Sequence, residues 1–190
     1  MASAQKPSTG PFNFRRLDAQ RFAQAGDILA GEIPLADLAR LGEDLHGPID
    51  PQAVVGWSAR GEWRNGTTGA APEVWLHLQA RGEVPLTCQR CLGAVSTELS
   101  VDRWFRFVAD EATAEAQDDD CEEDLLALDP RPDMQAVVED ELIMELPLVP
   151  MHEQCPDTPA ALGPAADAAM DETPQRPHPF AALQKLKGRP

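Results

Sequence analysis

The stretch Leu86-Thr87-Cys88-Gln89-Arg90-Cys91-Leu92 constrains the fold more than any other. An alternating apolar run, Val84-Pro85-Leu86-Thr87-Cys88, leads into it, and a second, Val95-Ser96-Thr97-Glu98-Leu99-Ser100-Val101, leaves it. Period-two alternation on both sides of a short cysteine turn predicts strand, tight turn, strand. Such a C-x-x-C turn brings two thiols to one metal, forms a disulfide, or closes a hairpin.

The β pattern extends both ways from that hairpin. Between 53 and 108 there are further strand-like runs at Val54-Val55-Gly56-Trp57-Ser58-Ala59, at Val74-Trp75-Leu76-His77-Leu78-Gln79-Ala80 and at Trp104-Phe105-Arg106-Phe107-Val108. Asn65-Gly66 is a hairpin-turn signal between the first two. A short strand is expected at 27–33. Helices are expected at 34–46, where Leu35, Leu38, Leu41 and Leu45 recur, and at 133–146, where Met134, Val137, Val138, Leu142 and Leu146 share one face. The fold class is therefore α+β: a curved antiparallel sheet or partial barrel with two or three peripheral helices. Residues 14–155 form the expected single domain. A polar N-terminus (1–13) and an Ala/Pro/Asp-rich tail (156–190) with a short amphipathic end at 180–187 are expected to be flexible.

Charge divides the chain unevenly. The net charge is −16, yet the β-rich part (53–108) carries six basic and five acidic side chains. Residues 109–145 carry fifteen acidic and one basic. The run Asp118-Asp119-Asp120-Cys121-Glu122-Glu123-Asp124 predicts a mobile acidic loop over 109–131. So acidic a protein is expected to seek basic partners rather than phosphate backbones. No apolar run reaches membrane-spanning length and no signal core opens the chain, so the expected location is the cytoplasm.

Cys88-x-x-Cys91 followed by His152-x-x-Cys155 supplies four candidate metal ligands at spacings zinc accepts. The plainer reading is a hairpin with two small thiols and an unrelated His and Cys. A thiol-redox C-x-x-C normally opens a helix in a βαβ unit, and both flanks here are strands. Glu141 and Glu145 fall among the apolar positions of the second helix, where a salt bridge to Arg90 would answer them. Arg103-Trp104-Phe105-Arg106-Phe107-Val108 invites comparison with an RNA-stacking strand, but the glycines and final aromatic of that motif are missing. Core packing is the expectation there. No nucleophile–base pair or paired carboxylates stand out.

Three stretches resemble a known family. They are Leu86-Thr87-Cys88-Gln89-Arg90-Cys91; 137–152, an acidic helix ending in Leu146-Pro147 with Pro150-Met151-His152 beyond it; and 179–187, Pro-Phe-Ala-Ala-Leu-Gln-Lys-Leu-Lys. Their order and spacing are similar to the bacterial YceD family of large-ribosomal-RNA-subunit accumulation proteins. The resemblance implies a cytoplasmic, non-catalytic factor needed for synthesis, processing or stability of 23S ribosomal RNA. The alternative is a small cytoplasmic zinc-binding or thiol-redox protein without a ribosomal role. The expected partner is the large-subunit pre-ribosome, reached through a basic protein rather than naked RNA, with no membrane and no DNA involved. Arg90, Glu139, Asp140 and Glu141 are the expected contact residues, with Glu139 and Asp140 placed off the apolar face of their helix.

Overall fold

The computed structural model describes residues 12–65 and 71–156. The expected Asn65-Gly66 turn, most of the N-terminal stretch 1–13 and nearly all of the tail 156–190, including its amphipathic end, lie outside the described residues. The described residues up to His152 make one compact unit.

Five strands form one sheet in chain order: β1 (Ile28–Pro34), β2 (Val54–Arg64), β3 (Glu73–Thr87), β4 (Ala94–Asp110) and β5 (Asp124–Asp129). The first four pair antiparallel, with Ala59 opposite Leu78 and Leu78 opposite Arg103. β3 and β4 are the long pair, and the cysteine turn joins them, as the alternation predicts. β5 departs from the antiparallel expectation. It runs parallel to β4, with Phe107 opposite Leu126. A parallel neighbour needs a crossover, and the short helix α3 (Glu111–Gln117) supplies part of it. β1 and β5 are the two edges, so the sheet is not closed, and it is mixed rather than wholly antiparallel.

The acidic stretch 109–131 is thus not one loop. β4 continues to Asp110, whose carboxylate caps α3 by accepting from Thr113 N at 2.8 Å and Thr113 Oγ1 at 2.6 Å. These bonds hold Asp110 in its charged form and lower its pKa. Leu125-Leu126-Ala127-Leu128 then pairs beside β4, with Leu126 and Leu128 packed on the core.

The expected helix at 34–46 is also shorter. Pro34 ends β1, Leu35–Asp37 makes one 3-10 turn, and α2 spans only Ala39–Glu43. Leu38 between them has φ −100° and ψ 78°, outside helical geometry. The apolar spacing still marks the packed side, because Leu35, Leu38 and Leu41 are fully buried. The second predicted helix forms close to expectation, as α4 (Met134–Met144), with Asp133 accepting from Gln135 N at its start.

α1 (Ala19–Ala25), α2 and α4 contribute Phe22, Leu41, Val138 and Leu142 to one core with the inward side chains of the sheet. In β3 these are Val74, Leu76, Leu78, Ala80, Val84 and Leu86. α1 can lie directly on β2 because Gly61 has no side chain. A Cβ there would stand 2.8 Å from Ala23 N. On the opposite face, Trp104 projects away from the core strands' inward row. His77 stacks on it at 4.4 Å and 8°, while Arg64 lies over both Trp75 (4.0 Å) and Trp104 (4.4 Å). In the 103–108 run, core packing therefore holds for Phe105 and Phe107, whereas Trp104 is engaged on the outer face by His77 and Arg64.

Candidate metal centre

The C-x-x-C turn is a tight, internally bonded knuckle. Cys88 N donates to Gly93 O at 2.9 Å, and Leu92 N donates to Cys88 O at 2.9 Å. Leu92 takes a left-handed backbone with φ 61°, a strained choice for a branched residue that lets the chain reverse within the turn. Beyond α4, the extended segment 147–152 is tied to this knuckle. Gln89 N donates to Pro150 O at 2.9 Å, and the Arg90 guanidinium donates to His152 O at 2.6 Å. Arg90 therefore holds the strap to the turn, and does not answer Glu141 or Glu145.

These ties deliver His152 to the cysteines. Its Nε2 lies 2.9 Å from Ala94 O and its Nδ1 lies 3.5 Å from Cys91 Sγ. A carbonyl only accepts, so Nε2 carries the proton and donates, which leaves the Nδ1 lone pair facing the thiols. A backbone carbonyl fixing one ring nitrogen so that the other points at a metal is the usual outer support of a ligating histidine. Cys155 follows His152 by three residues. Cys88, Cys91, His152 and Cys155 form a Cys3His group that could hold a metal ion, with one ligand atom from each lying within 4.8 Å of the others.

The electrostatics favour an anionic ligand in the turn. Cys88 is fully buried. Burial alone would push its thiol up, but backbone hydrogen bonds from Cys91, His152 and Arg90 outweigh it and hold Cys88 at about 5. A thiolate is the form that binds metal. A tetrahedral centre with Zn–S near 2.3 Å and Zn–N near 2.0–2.1 Å has ligand–ligand edges of roughly 3.5–3.8 Å. The Cys91–His152 edge already has that length, and the widest edges would close by about 1 Å. The donor set and its support therefore fit a metal ion. Cys121 accompanies none of these groups and bonds to Glu123 O instead.

The other expected site residues sit on α4. Glu139 is only 8% exposed and faces the start of α2. Its carboxylate accepts from Arg40 N at 2.7 Å and Leu41 N at 3.2 Å, while the Arg40 guanidinium closes on it at 3.1–3.2 Å. The expectation that Glu139 lies off the packed face does not hold, because α2 meets α4 on that side. Asp140 is exposed and pairs with Arg40. Glu141 is 4% exposed and has Arg103 Nε at 3.5 Å. Its Oε2 makes no hydrogen bond, and burial raises its pKa against the pull of Arg103. The parity of β4 could have shown this partner. Arg103 stands opposite Leu78, at a core-facing position between Val101 and Phe105.

An open mixed sheet with peripheral helices, a cysteine–histidine knuckle and an acidic helix defines a small α+β protein with a centre suited to a metal. Residues 76–187 match the model of the family described as large ribosomal RNA subunit accumulation protein YceD. That match takes in more than half of the chain, and the chain belongs to this family. No solved structure matches it. Among the described residues no helix is long and apolar enough to cross a membrane.

Proposed function

We propose that this chain is a cytoplasmic, non-catalytic factor that supports synthesis, processing or stability of 23S ribosomal RNA by binding within the assembling large subunit. The family match over 76–187 carries this reading, since it spans the knuckle, α4 and the strap together. Ribosome profiles of a deletion strain test it. The expected result is a deficit of large-subunit particles and of 23S RNA. Normal 23S RNA levels in that strain would reject it.

Within this reading, zinc is the metal that Cys88, Cys91, His152 and Cys155 hold. Zinc suits three thiolates and an imidazole in a closed site, and there it stabilises the fold rather than performing chemistry. The full burial of Cys88 supports a ligand role over a redox one, because reactive cysteines are at least partly exposed. Protein purified without chelator is expected to carry about one zinc per chain. Cys88→Ser is expected to lose the metal and melt lower. Metal-free wild type with the same melting temperature as Cys88→Ser would remove zinc from the account.

The partner within the particle is a basic protein rather than bare RNA. The net charge is −16, and the arginines of the outer sheet face are engaged at home, Arg64 on two tryptophans and Arg60 over Trp104. Phosphate binding needs clustered, available cations. Weak association with isolated 23S RNA is the expected outcome of a filter-binding titration.

A further inference from the structure

Exposed apolar surface is concentrated in one place. Among the described residues seven large hydrophobic side chains are strongly exposed, and four of them lie on the knuckle and its strap: Leu92, Leu148, Val149 and Met151. Each is more than half exposed, and Leu148 completely so. Scattered exposed leucines need no explanation, but such a cluster marks a contact surface. The strap that carries three of them is pinned, since Pro150 O accepts from Gln89 and His152 O accepts from Arg90. Pro147 and Pro150 stiffen it further. A pre-ordered strap loses little entropy on binding.

Beside the strap lies a cavity of about 390 Å³, lined in part by Glu43, Asp44, Leu45, Leu146, Pro147 and Pro150. Glu43 and Asp44 are exposed at the end of α2, and no lysine or arginine lines the cavity. Apolar side chains therefore border a cavity that bears negative charge on one side.

We propose that this strap and cavity dock a lysine- and arginine-rich peptide segment that also presents an apolar side chain. The cationic groups meet Glu43 and Asp44, and the apolar side chain rests on Leu148 and Met151. The proposal rests on the ribosomal reading, which names basic large-subunit proteins as the source of such segments. It moves the contact surface away from Glu139 and Glu141, whose carboxylates face inward. An RNA strand fits less well, because the two carboxylates repel phosphate.

The test uses the full-length chain against synthetic peptides that tile the basic large-subunit proteins, followed by anisotropy titration of the binders. Two variants probe the surface: Glu43→Lys with Asp44→Lys, and Leu148→Ser with Met151→Ser. All four positions are solvent-facing and none is among the candidate metal ligands, and thermal melts are the check that both variants stay folded. The expected result is a loss of about tenfold or more in affinity for each variant, with wild-type binding weakened by salt. Unchanged binding by both variants would overturn the proposal, as would the absence of any peptide that binds, or preferential binding of a 23S RNA fragment. The deletion strain separates the two failures. A 23S deficit together with unaffected variant binding sinks this surface alone, whereas normal 23S RNA sinks the ribosomal reading.

Discussion

α4 carries two buried carboxylates two residues apart, and the protein treats them in opposite ways. Glu139 meets two backbone N–H groups at the start of α2 and a guanidinium from Arg40, so its oxygens are satisfied. Glu141 meets the sheet, where Arg103 faces it at 3.5 Å and Oε2 has no hydrogen-bond donor among the described residues. Depth does not separate them, since both are nearly inaccessible. What differs is the supply of donors. A helix start offers unpaired N–H groups, whereas strand backbone is already committed to its neighbours. A buried charge with full hydrogen bonding can fasten two elements, while one with a lone, distant partner is close to neutral or a cost.

The largest expected effect comes from breaking the satisfied site. Glu139→Ala removes the acceptor for Arg40 N and Leu41 N and strands the start of α2 against α4. A loss of about 2–4 kcal/mol in a urea or thermal unfolding experiment is expected. A change below about 0.5 kcal/mol would show that these bonds are not formed in solution.

A smaller effect is expected from the sheet side. Arg103→Met keeps the stem that packs near α4 and removes the charge beside Glu141. The half-exposed arginine is partly screened, so a loss of about 1–2 kcal/mol at neutral pH is expected rather than the larger cost of a fully buried pair. Joining it to Glu141→Leu should restore most of that loss, because the unpaired charge is then gone. A double variant as unstable as the single one would mean that Arg103 acts by packing alone.

Both carboxylates show where sequence reading stops. The hairpin of β3 and β4, the cysteine turn at its tip and the position of α4 were legible, because alternation and helical periodicity report directly on burial. The grouping of Cys88, Cys91, His152 and Cys155 was open to view as one of two readings, since His152 and Cys155 repeat the spacing of Cys88 and Cys91. Glu139 was misplaced because projection on one helix shows only the face that meets the main core. Its packed side is created by α2, which arrives from nearly a hundred residues away. Arg103 was overlooked as Glu141's partner although its parity in β4 put it among core positions. β5 was hidden because its four apolar residues follow a run of carboxylates, and composition outweighed pattern. α2 was drawn too long because leucine spacing records which side is buried, and a 3-10 turn followed by a short helix buries the same leucines.

The smallest effect, and the one that tests the contrast most directly, comes from pH. Burial raises the pKa of Glu141, with Asp124, Glu145 and Asp140 adding to the rise and only Arg103 opposing it. A carboxyl whose pKa is higher in the folded state than in the unfolded chain binds its proton more tightly when folded. Below about pH 4 both states are protonated and the group is neutral in its effect. As pH rises, the unfolded chain ionises first, so stability is lost until the pH exceeds the folded value, and then levels off. Asp110 runs the other way, since its lowered pKa adds stability that disappears as pH falls. Comparing Glu141→Gln with wild type cancels Asp110 and the other carboxylates. The variant should match wild type near pH 4 and exceed it at pH 7 by up to about 1 kcal/mol. A difference that shrinks or reverses as pH rises would mean that Arg103 outweighs burial, and that Glu141, like Glu139, fastens α4 in place.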